Sequence, residues 1–317
     1  MKGYKNHIQL QKGMSLNQFL ELYGTEKKCI EVIENIKWPN GYECGGCDSG
    51  EYYLYRNNGL RVYQCKKCGK QATLLAGTIF EQTKLPLRTW FLAIYFITQS
   101  KNGISTLELR RVIGVSYNAA WRIRHKLQQV MLERDADLKL TKRVEIDDSY
   151  LGGTKEGKAG RGSENKIPFI AAVETDKVGN PLQVIFSTVK SFTKEEIEDW
   201  AKKHLEDSVK LISDGYKCFG SFTELGLLHF PEVVGADRKS VKLDCFKWVN
   251  TILGNVKSAF SGTFHSFKFG KYAQRYLSEM QYRFNRRFDL KSLIIRLAVA
   301  CTQTGARPAS FLRFSEA

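Results

Sequence analysis

Four cysteines fall into two pairs, Cys44 with Cys47 and Cys65 with Cys68, each pair two residues apart and the pairs separated by 17 residues. A two-residue gap turns both thiolates of a pair toward one ion, and a second such pair completes a tetrahedron. The spacing is that of the two knuckles of a zinc ribbon. Four thiolates leave no open coordination position, so the zinc would fold its module and not catalyse. Gly45, Gly46 and Gly69 are expected to ease the tight turns. Either pair alone would also fit a redox Cys-x-x-Cys; two pairs flanking β-like sequence favour zinc. Cys29, Cys218, Cys245 and Cys301 have no partner at such spacing and read as buried thiols.

The acids suggest different chemistry. In VEIDDSYLGG, Asp147 lies on a strand with Glu145 on its face and Asp148 on the opposite one; Asp214 ends a second strand, VKLISD. Carboxylates at strand ends can converge across a sheet to hold divalent cations for phosphoryl transfer, although each alone is also an ordinary turn residue. A third stretch, WVNTILGNVK (248–257), reads as a helix. Asn250 and Lys257, seven positions apart, stand about 20° apart in azimuth, with Leu253 and Gly254 between them and Asn255 turned away. Alone, that face is either solvated surface or part of a site.

The elements that must position these residues follow from local pattern. Within a helical segment at 1–37, Ser15–Tyr23 and Thr25–Trp38 each open on a hydroxyl suited to an N-cap. Residues 38–82 carry the cysteines and the hairpin-like runs EYYLYR and RVYQC. Residues 84–135 are helical: an apolar helix after Pro86, then Ser105–Ile113, the turn GVS, and Tyr117–Val130. The last two resemble a helix-turn-helix whose second helix would present Asn118, Arg122, Arg124, His125 and Lys126, side chains that reach phosphates and base edges. A purely structural helical hairpin has the same pattern.

From about 140 to 304 the sequence reads as an α/β sheet domain, and 305–317 as a tail. KRVEIDDSYL, IPFIAAVET and PLQVIFSTV are strands, the last two joined by the turn DKVGN. TKEEIEDWAKKHL is a helix with Thr193 and Glu196 placed for a capping box. A strand ending at Asp214 and a largely helical end follow. The helix Lys271–Phe288 mixes Tyr272, Tyr276, Tyr282 and Phe284 with Arg275, Arg283, Arg286 and Arg287. Its arginines either track DNA phosphates or form a solvated face. The loop 152–166, with Lys155, Lys158, Arg161 and Lys166, is a further candidate to order on DNA.

Composition narrows the partners. Of 317 residues 43% are apolar and 12% aromatic, enough for a substantial core. The 49 Lys and Arg against 33 acids leave a net charge of +16, which favours nucleic acid as partner over an anionic membrane. No run approaches ~18 apolar residues, so no membrane span is expected. The first residues lack a secretory pattern, and the cysteines therefore suggest reduced thiols or metal ligands. The expected location is the cytoplasm, or the nucleus in a eukaryote.

The order zinc ribbon, helix-turn-helix, VEIDDSYLGG, LISDG, WVNTILGNVKSAFSGTFHSF and KYAQRYLSEMQYRFNRRF resembles the bacterial insertion-sequence transposases with an N-terminal zinc ribbon, relatives of the Merlin transposons. The resemblance covers roughly 38–290. It implies a multidomain α/β protein: N-terminal helices and zinc ribbon, helix-turn-helix, then a ribonuclease H-like catalytic domain with a mixed sheet and flanking helices. It also implies cut-and-paste transposition by an Asp, Asp, Glu-or-Asn set followed by Lys. Carried over, these are Asp147, Asp214, Asn250 and Lys257, with Asp148 where the family usually has a second acid. Thirty-five residues lie between Asp214 and Asn250, an interval typical of the wider superfamily. The chain thus departs from the Glu form. Asn255 is the rival amide, and only Asn250 shares a face with Lys257.

The implied cofactors are structural Zn²⁺ and two Mg²⁺ (or Mn²⁺) per active site. Asp147 would bridge both metals, Asp214 would bind one and Asn250 the other through its amide oxygen, a neutral and weaker ligand than Glu. Lys257 would face a phosphate as a point charge. The implied partners are double-stranded DNA at transposon ends and target, and a second copy of the chain when two ends are paired. Two other readings stay open from sequence: a non-catalytic DNA-binding regulator, to which the missing third acid points, and a structure-specific nuclease.

Overall fold

Local hydrogen bonds start the first helices. In the computed structural model, which describes residues 12–57, 60–152, 166–233, 243–265 and 267–314, Ser15 Oγ accepts from the Gln18 amide at 3.2 Å. The Gln18 side chain accepts from the Ser15 amide at 3.1 Å, a complete capping box on α1 (Leu16–Tyr23). Thr25 caps α2 (Glu26–Lys37). The antiparallel strands β1 (Tyr52–Asn57), β2 (Leu60–Cys65) and β3 (Gln71–Thr73) follow. Lys37 Nζ reaches the carbonyls of Thr73, Leu74 and Ala76 at 3.1, 2.8 and 3.1 Å, tying α2 to the end of this sheet. Burial lowers its pKa. α3 (Leu87–Gln99) has no capping side chain of its own at Pro86; Glu26 supplies it, each oxygen 2.8 Å from the Leu87 or Arg88 amide.

α4 (Thr106–Ile113) is capped by Ser105 and stops at Gly114, whose φ of 68° gives the left-handed C-terminal cap that a side chain disfavours. α5 (Tyr117–Arg134) follows after Ser116.

The chain divides into two units, the first Met1–Val130 with Phe288–Arg313, the second Met131–Arg287 with Phe314–Ala317. The second is built on β4 (Arg143–Leu151), β5 (Ile167–Thr175), β6 (Pro181–Thr188), β7 (Lys210–Asp214) and β8 (Leu228–Glu232), in sheet order β6-β5-β4-β7-β8. β4 pairs antiparallel with β5, from Arg143 opposite Thr175 to Leu151 opposite Ile167, and parallel with β7, from Arg143 opposite Lys210 to Ile146 opposite Ser213. The parallel step needs a crossover, which α6 (Lys194–His204) supplies between β6 and β7.

Phe169, Ala171, Val173, Val184 and Phe186 form one buried sheet face with α8 (Lys247–Ala259) and α9 (Phe269–Asn285). Ile146, Ile170, Ala172 and Ile185 form the other with α6, Phe219 and Phe222. Helices on both faces explain the continuous apolar run of β5. The strand β8 has no clear sequence signal: it is short, mostly exposed and contains Pro231, which is tolerated because β8 is an edge. The capping box expected on α6 is half formed. Thr193 accepts from the Glu196 amide at 3.4 Å, while the Glu196 carboxylate accepts from the Lys190 amide.

The opposite edge strand, β6, is closed by α9. Asn285 accepts from the Val184 amide at 2.8 Å and donates to its carbonyl at 3.0 Å. Gln281 accepts from the Phe186 amide at 2.9 Å, and Gln274 joins the Thr188 amide at 2.7 Å and the Phe186 carbonyl at 2.9 Å. Side-chain amides thus do the work of a further strand along an edge that would otherwise be bare.

This corrects the sequence reading of α9 and its end. Arg275, Arg283 and Arg287 are buried. Arg287 donates to the carbonyls of Pro181, Leu182 and Phe284. Arg286 makes a two-pronged pair with Asp135, at 3.1 and 2.6 Å, and stacks 3.7 Å over Tyr282. None of the four forms a free basic face, because the polar stripe of α9 is turned to β6 and to neighbouring backbone.

α10 (Leu293–Gln303) packs on α2 and α3, and its Cys301 carbonyl accepts from the Ile79 amide at 3.0 Å. It therefore belongs to the first unit, and the boundary drawn from sequence at 304 falls instead after Arg287. The short α11 (Ala309–Arg313) lies in the same unit. Of the 152–166 loop, Lys155, Lys158 and Arg161 lie outside the described residues.

Replacing Gln281 by Leu leaves the buried Phe186 amide without its acceptor. Urea unfolding should show a loss of about 1–3 kcal/mol, whereas Arg122→Ala, at an exposed position, should change stability little.

Candidate functional site

The ribbon cysteines meet at one point. Their four sulfurs lie within 4.8 Å of one another, with Cys44 and Cys68 at 3.5 Å and Cys47 and Cys65 at 3.6 Å. Each pair sits on a tight turn: the Gly46, Cys47 and Asp48 amides all point at the Cys44 carbonyl, and the Gly69 amide bonds Cys65 at 3.0 Å. Gly69 adopts φ 72°, the glycine in these turns that needs its missing Cβ. The Cys68 amide, then that of Lys67, lowers the Cys65 thiol to about 6. The Cys47 thiol is pushed up to about 12: the Ser49 amide favours its thiolate, but desolvation and the neighbouring sulfurs outweigh it. Four thiolates so close need a cation between them, and an all-sulfur tetrahedral donor set fits zinc.

In the second unit, Asp147, Asp148 and Asp214 bring carboxylate oxygens within 4.8 Å of one another, all half-buried. Parallel pairing of β4 with β7 puts Asp147 and Asp214 one step past the last shared rung, Ile146 opposite Ser213. Asp148, expected on the opposite face, joins them; beyond that rung no β7 backbone separates it from Asp214. Asp147 Oδ1 accepts from the Asp148 amide at 2.9 Å, and Asp214 Oδ1 from the Tyr216 amide at 3.1 Å. Behind Asp214, Ser213 Oγ donates to the Asp214 carbonyl at 2.8 Å and lies 2.8 Å from His229 Nε2.

α8 starts beside these acids, and what starts it is Glu145. Phe246 at its N-cap offers no side-chain bond. Glu145 Oε2 accepts from the Trp248 and Val249 amides at 2.8 and 3.0 Å, and Oε1 from Arg143 Nη1 at 2.9 Å, with the side chain 1% exposed. These are the amides a capping residue would normally take. Sequence reasoning placed Glu145 on the Asp147 face without giving it a role; an unpaired acid on a buried strand face was the available signal.

Val249, Ile252, Leu253, Val256 and Ala259 bury one side of α8. The Trp248 indole donates to the Gly179 carbonyl in the β5–β6 turn. At 100° per residue Asn250 stands about 160° from Trp248, while Asn255 stands only about 20° from it. Asn250 and Lys257 therefore occupy the flank of α8 away from that turn. Asn250 is half-buried; Lys257 and Asn255 are exposed.

Among the helix-turn-helix candidates, Asn118 and Arg122 are exposed, one turn apart on α5. Arg124 is fully buried and donates to the Ile104 carbonyl; His125 is buried against Trp121. Lys126 donates to the Ile79 carbonyl at 2.7 Å, and burial lowers its pKa. These three serve packing within the first unit, because α5 turns that face to the core. Arg110 and Arg111 on α4, not singled out in the sequence, are exposed.

Residues 24–71 match the model of a transposase zinc-ribbon domain, and residues 139–285 that of an ISXO2-like transposase domain. The chain thus carries, in this order, the two kinds of domain found in zinc-ribbon insertion-sequence transposases. It is 26% identical over 244 residues to an uncharacterized protein in transposable element ISH50 of Halobacterium salinarum, a match covering 71% of this chain and 79% of that protein. Two solved structures are also similar. One is a pre-cleavage Mos1 transpososome (10% identity, 64% of this chain and 76% of that one, TM-score 0.24). The other is a Mos1 transposase paired-end complex with left transposon end (12%, 70% and 81%, TM-score 0.24). No helix among the described residues is long and apolar enough to cross a membrane.

The cysteine geometry gives a direct expectation for this chain. Elemental analysis of purified protein should find about one zinc per chain, and Cys65→Ser should lose it together with the thermal transition of the ribbon.

Proposed function

We propose that the chain cleaves transposon ends and joins them to target DNA by in-line phosphoryl transfer, with Asp147, Asp214, Asn250 and Lys257 as its centre. The observation that carries this reading is the convergence of Asp147, Asp148 and Asp214 within 4.8 Å, where β7 ends beside the middle of its parallel neighbour β4. In the order β6-β5-β4-β7-β8 the chain builds outward from β4 in one direction, then crosses over to build in the other. The step between β4 and β7 is the switch point at which open α/β sheets hold their ligands. The same order, with three antiparallel strands followed by two parallel ones, supports a ribonuclease H-like domain.

Three carboxylates and an amide oxygen are hard donors that fit Mg²⁺ or Mn²⁺. Two such ions, when bound, would lower the pKa of an attacking water or 3′-hydroxyl and neutralise the leaving oxygen. In this reading Asp147 would share both ions, Asp214 would hold one and Asn250 the other. Asn250 adds no charge, and Asp148 supplies a further carboxylate beside Asp147 and Asp214. Lys257, exposed about two helical turns beyond Asn250, is a point charge for a phosphate of the bound strand. Gly254, exposed on the same flank with open space where a Cβ would stand, leaves room for a DNA backbone.

The DNA-binding surface in this reading is the exposed part of α4 and α5: Arg110, Arg111, Asn118 and Arg122, in a helix-turn-helix arrangement. Joining two ends requires two copies of the chain, so a dimer or larger assembly on DNA belongs to the proposal. The second reading, a non-catalytic DNA-binding regulator, draws on the amide at Asn250.

The deciding experiment is strand cleavage and transfer in vitro with Mg²⁺, on duplexes carrying the terminal inverted repeats that flank the gene. Asp147→Asn should lower cleavage on the order of 10³-fold with end binding intact. Asn250→Ala should be similarly inactive, Asn250→Asp should keep metal-dependent cleavage, and Asn255→Ala should resemble wild type. Cleavage unaffected by Asp147→Asn would refute the assignment. No cleavage by wild type bound to its ends would favour the regulator.

A further inference from the structure

Glu145 has three partners and no part in the chemistry above. Its strand carries Asp147 two residues later on the same face, about 7 Å away along the strand. Its Oε2 holds the Trp248 and Val249 amides, and the next residue of that helix is Asn250. Its Oε1 takes Arg143 Nη1, which also donates to Thr175 Oγ1 at 3.1 Å, while Arg143 Nη2 donates to the Cys245 carbonyl at 3.3 Å. Strand β4, the β5 end and the start of α8 are therefore joined through one buried carboxylate.

We propose that Glu145 is a positioning residue: by holding the first turn of α8 against β4, it fixes Asn250 relative to Asp147 and so completes the metal site. This rests on the reading of Asp147, Asp214 and Asn250 as metal-binding residues.

Three features support it. The amides that Glu145 accepts from are the second and third of α8, so the contact sets both the height and the rotation of the helix. The Trp248–Gly179 bond holds the opposite flank, so the helix is gripped on two sides and Asn250 faces away from the turn. Finally, α8 has no cap of its own that could fix its start if Glu145 were lost.

The test uses the full-length protein and four variants: Glu145→Gln, Asn250→Ala, the double variant, and Asp147→Asn. Glutamine keeps size but turns one acceptor into a donor, which must face either Arg143 or the helix amides, donor to donor. Mn²⁺ binding is read from the electron paramagnetic resonance signal of the free ion, cleavage is titrated with Mg²⁺, and folding is checked by circular dichroism. Glu145→Gln should raise the Mn²⁺ midpoint about 10-fold or more while the protein remains folded. It should raise it no further in the Asn250→Ala background, because the two residues act through one ligand.

A folded Glu145→Gln with the wild-type midpoint overturns the proposal, as does an equal shift in both backgrounds. Should Glu145→Gln fail to fold, Glu145→Asp, which keeps the charge and withdraws it by one methylene, must show the selective shift instead. If Asp147→Asn binds Mn²⁺ and cleaves normally, the metal-site reading itself has failed. If Asp147→Asn is inactive and Glu145→Gln unchanged, only the positioning role has.

Discussion

Strand β4 has two different neighbours, and the rest of the second unit depends on that. On one edge β5 runs antiparallel for the full length of the strand; on the other β7 runs parallel for four rungs and stops at Ile146 and Ser213. The parallel edge obliges the chain to cross over through α6, which covers one face of the sheet, while α8 and α9 cover the other. It also brings the end of β7 beside the middle of β4, the two strands pointing the same way. Asp147 and Asp214 meet because both follow the last rung that β4 and β7 share, and beyond it the β7-side edge of β4 is no longer paired. Had β7 paired antiparallel, its final acid would lie at the far end of β4.

A second principle recurs in both units: backbone groups that an element cannot satisfy are satisfied by side chains from another. Glu26 starts α3, and Glu145 starts α8. Gln274, Gln281 and Asn285 close the outer edge of β6. Each such bond removes an unpaired amide or carbonyl from a buried place and fixes two elements relative to each other. For α8 the buried Glu145 carboxylate, met by Arg143 and two amides, ties the first turn of the helix to β4.

The same burial explains why charge is a poor guide to which surface could meet a polyanion. A net charge of +16 points to a polyanion, but it does not say which arginines are free. Arg124, Arg275, Arg283 and Arg287 lie inside, and Arg286 is committed to Asp135 and Tyr282. Arginine suits such places because its fork reaches several carbonyls at once and its plane stacks on rings. In α9 the amide stripe that closes β6 looks, in one dimension, like any polar helix face.

What the sequence determined was what local spacing can encode. Two Cys-x-x-Cys pairs specify a tetrahedral thiolate site because each knuckle is four residues of turn. Ser15, Thr25 and Ser105 mark helix starts because a cap acts within one turn, and strands β4 to β7 follow from their apolar runs. The face shared by Asn250 and Lys257 follows from helical periodicity alone. Tertiary structure alone decided that the end of β7 lies beside the Asp147 stretch of β4, that Asp148 joins Asp147 and Asp214, that Pro231 sits in an edge strand, and that α10 returns to the first unit. It also decided what Glu145 does. The two amides it accepts from are more than 100 residues away in the chain, and a hydrogen bond is set by distance in space, which no local pattern of residues records.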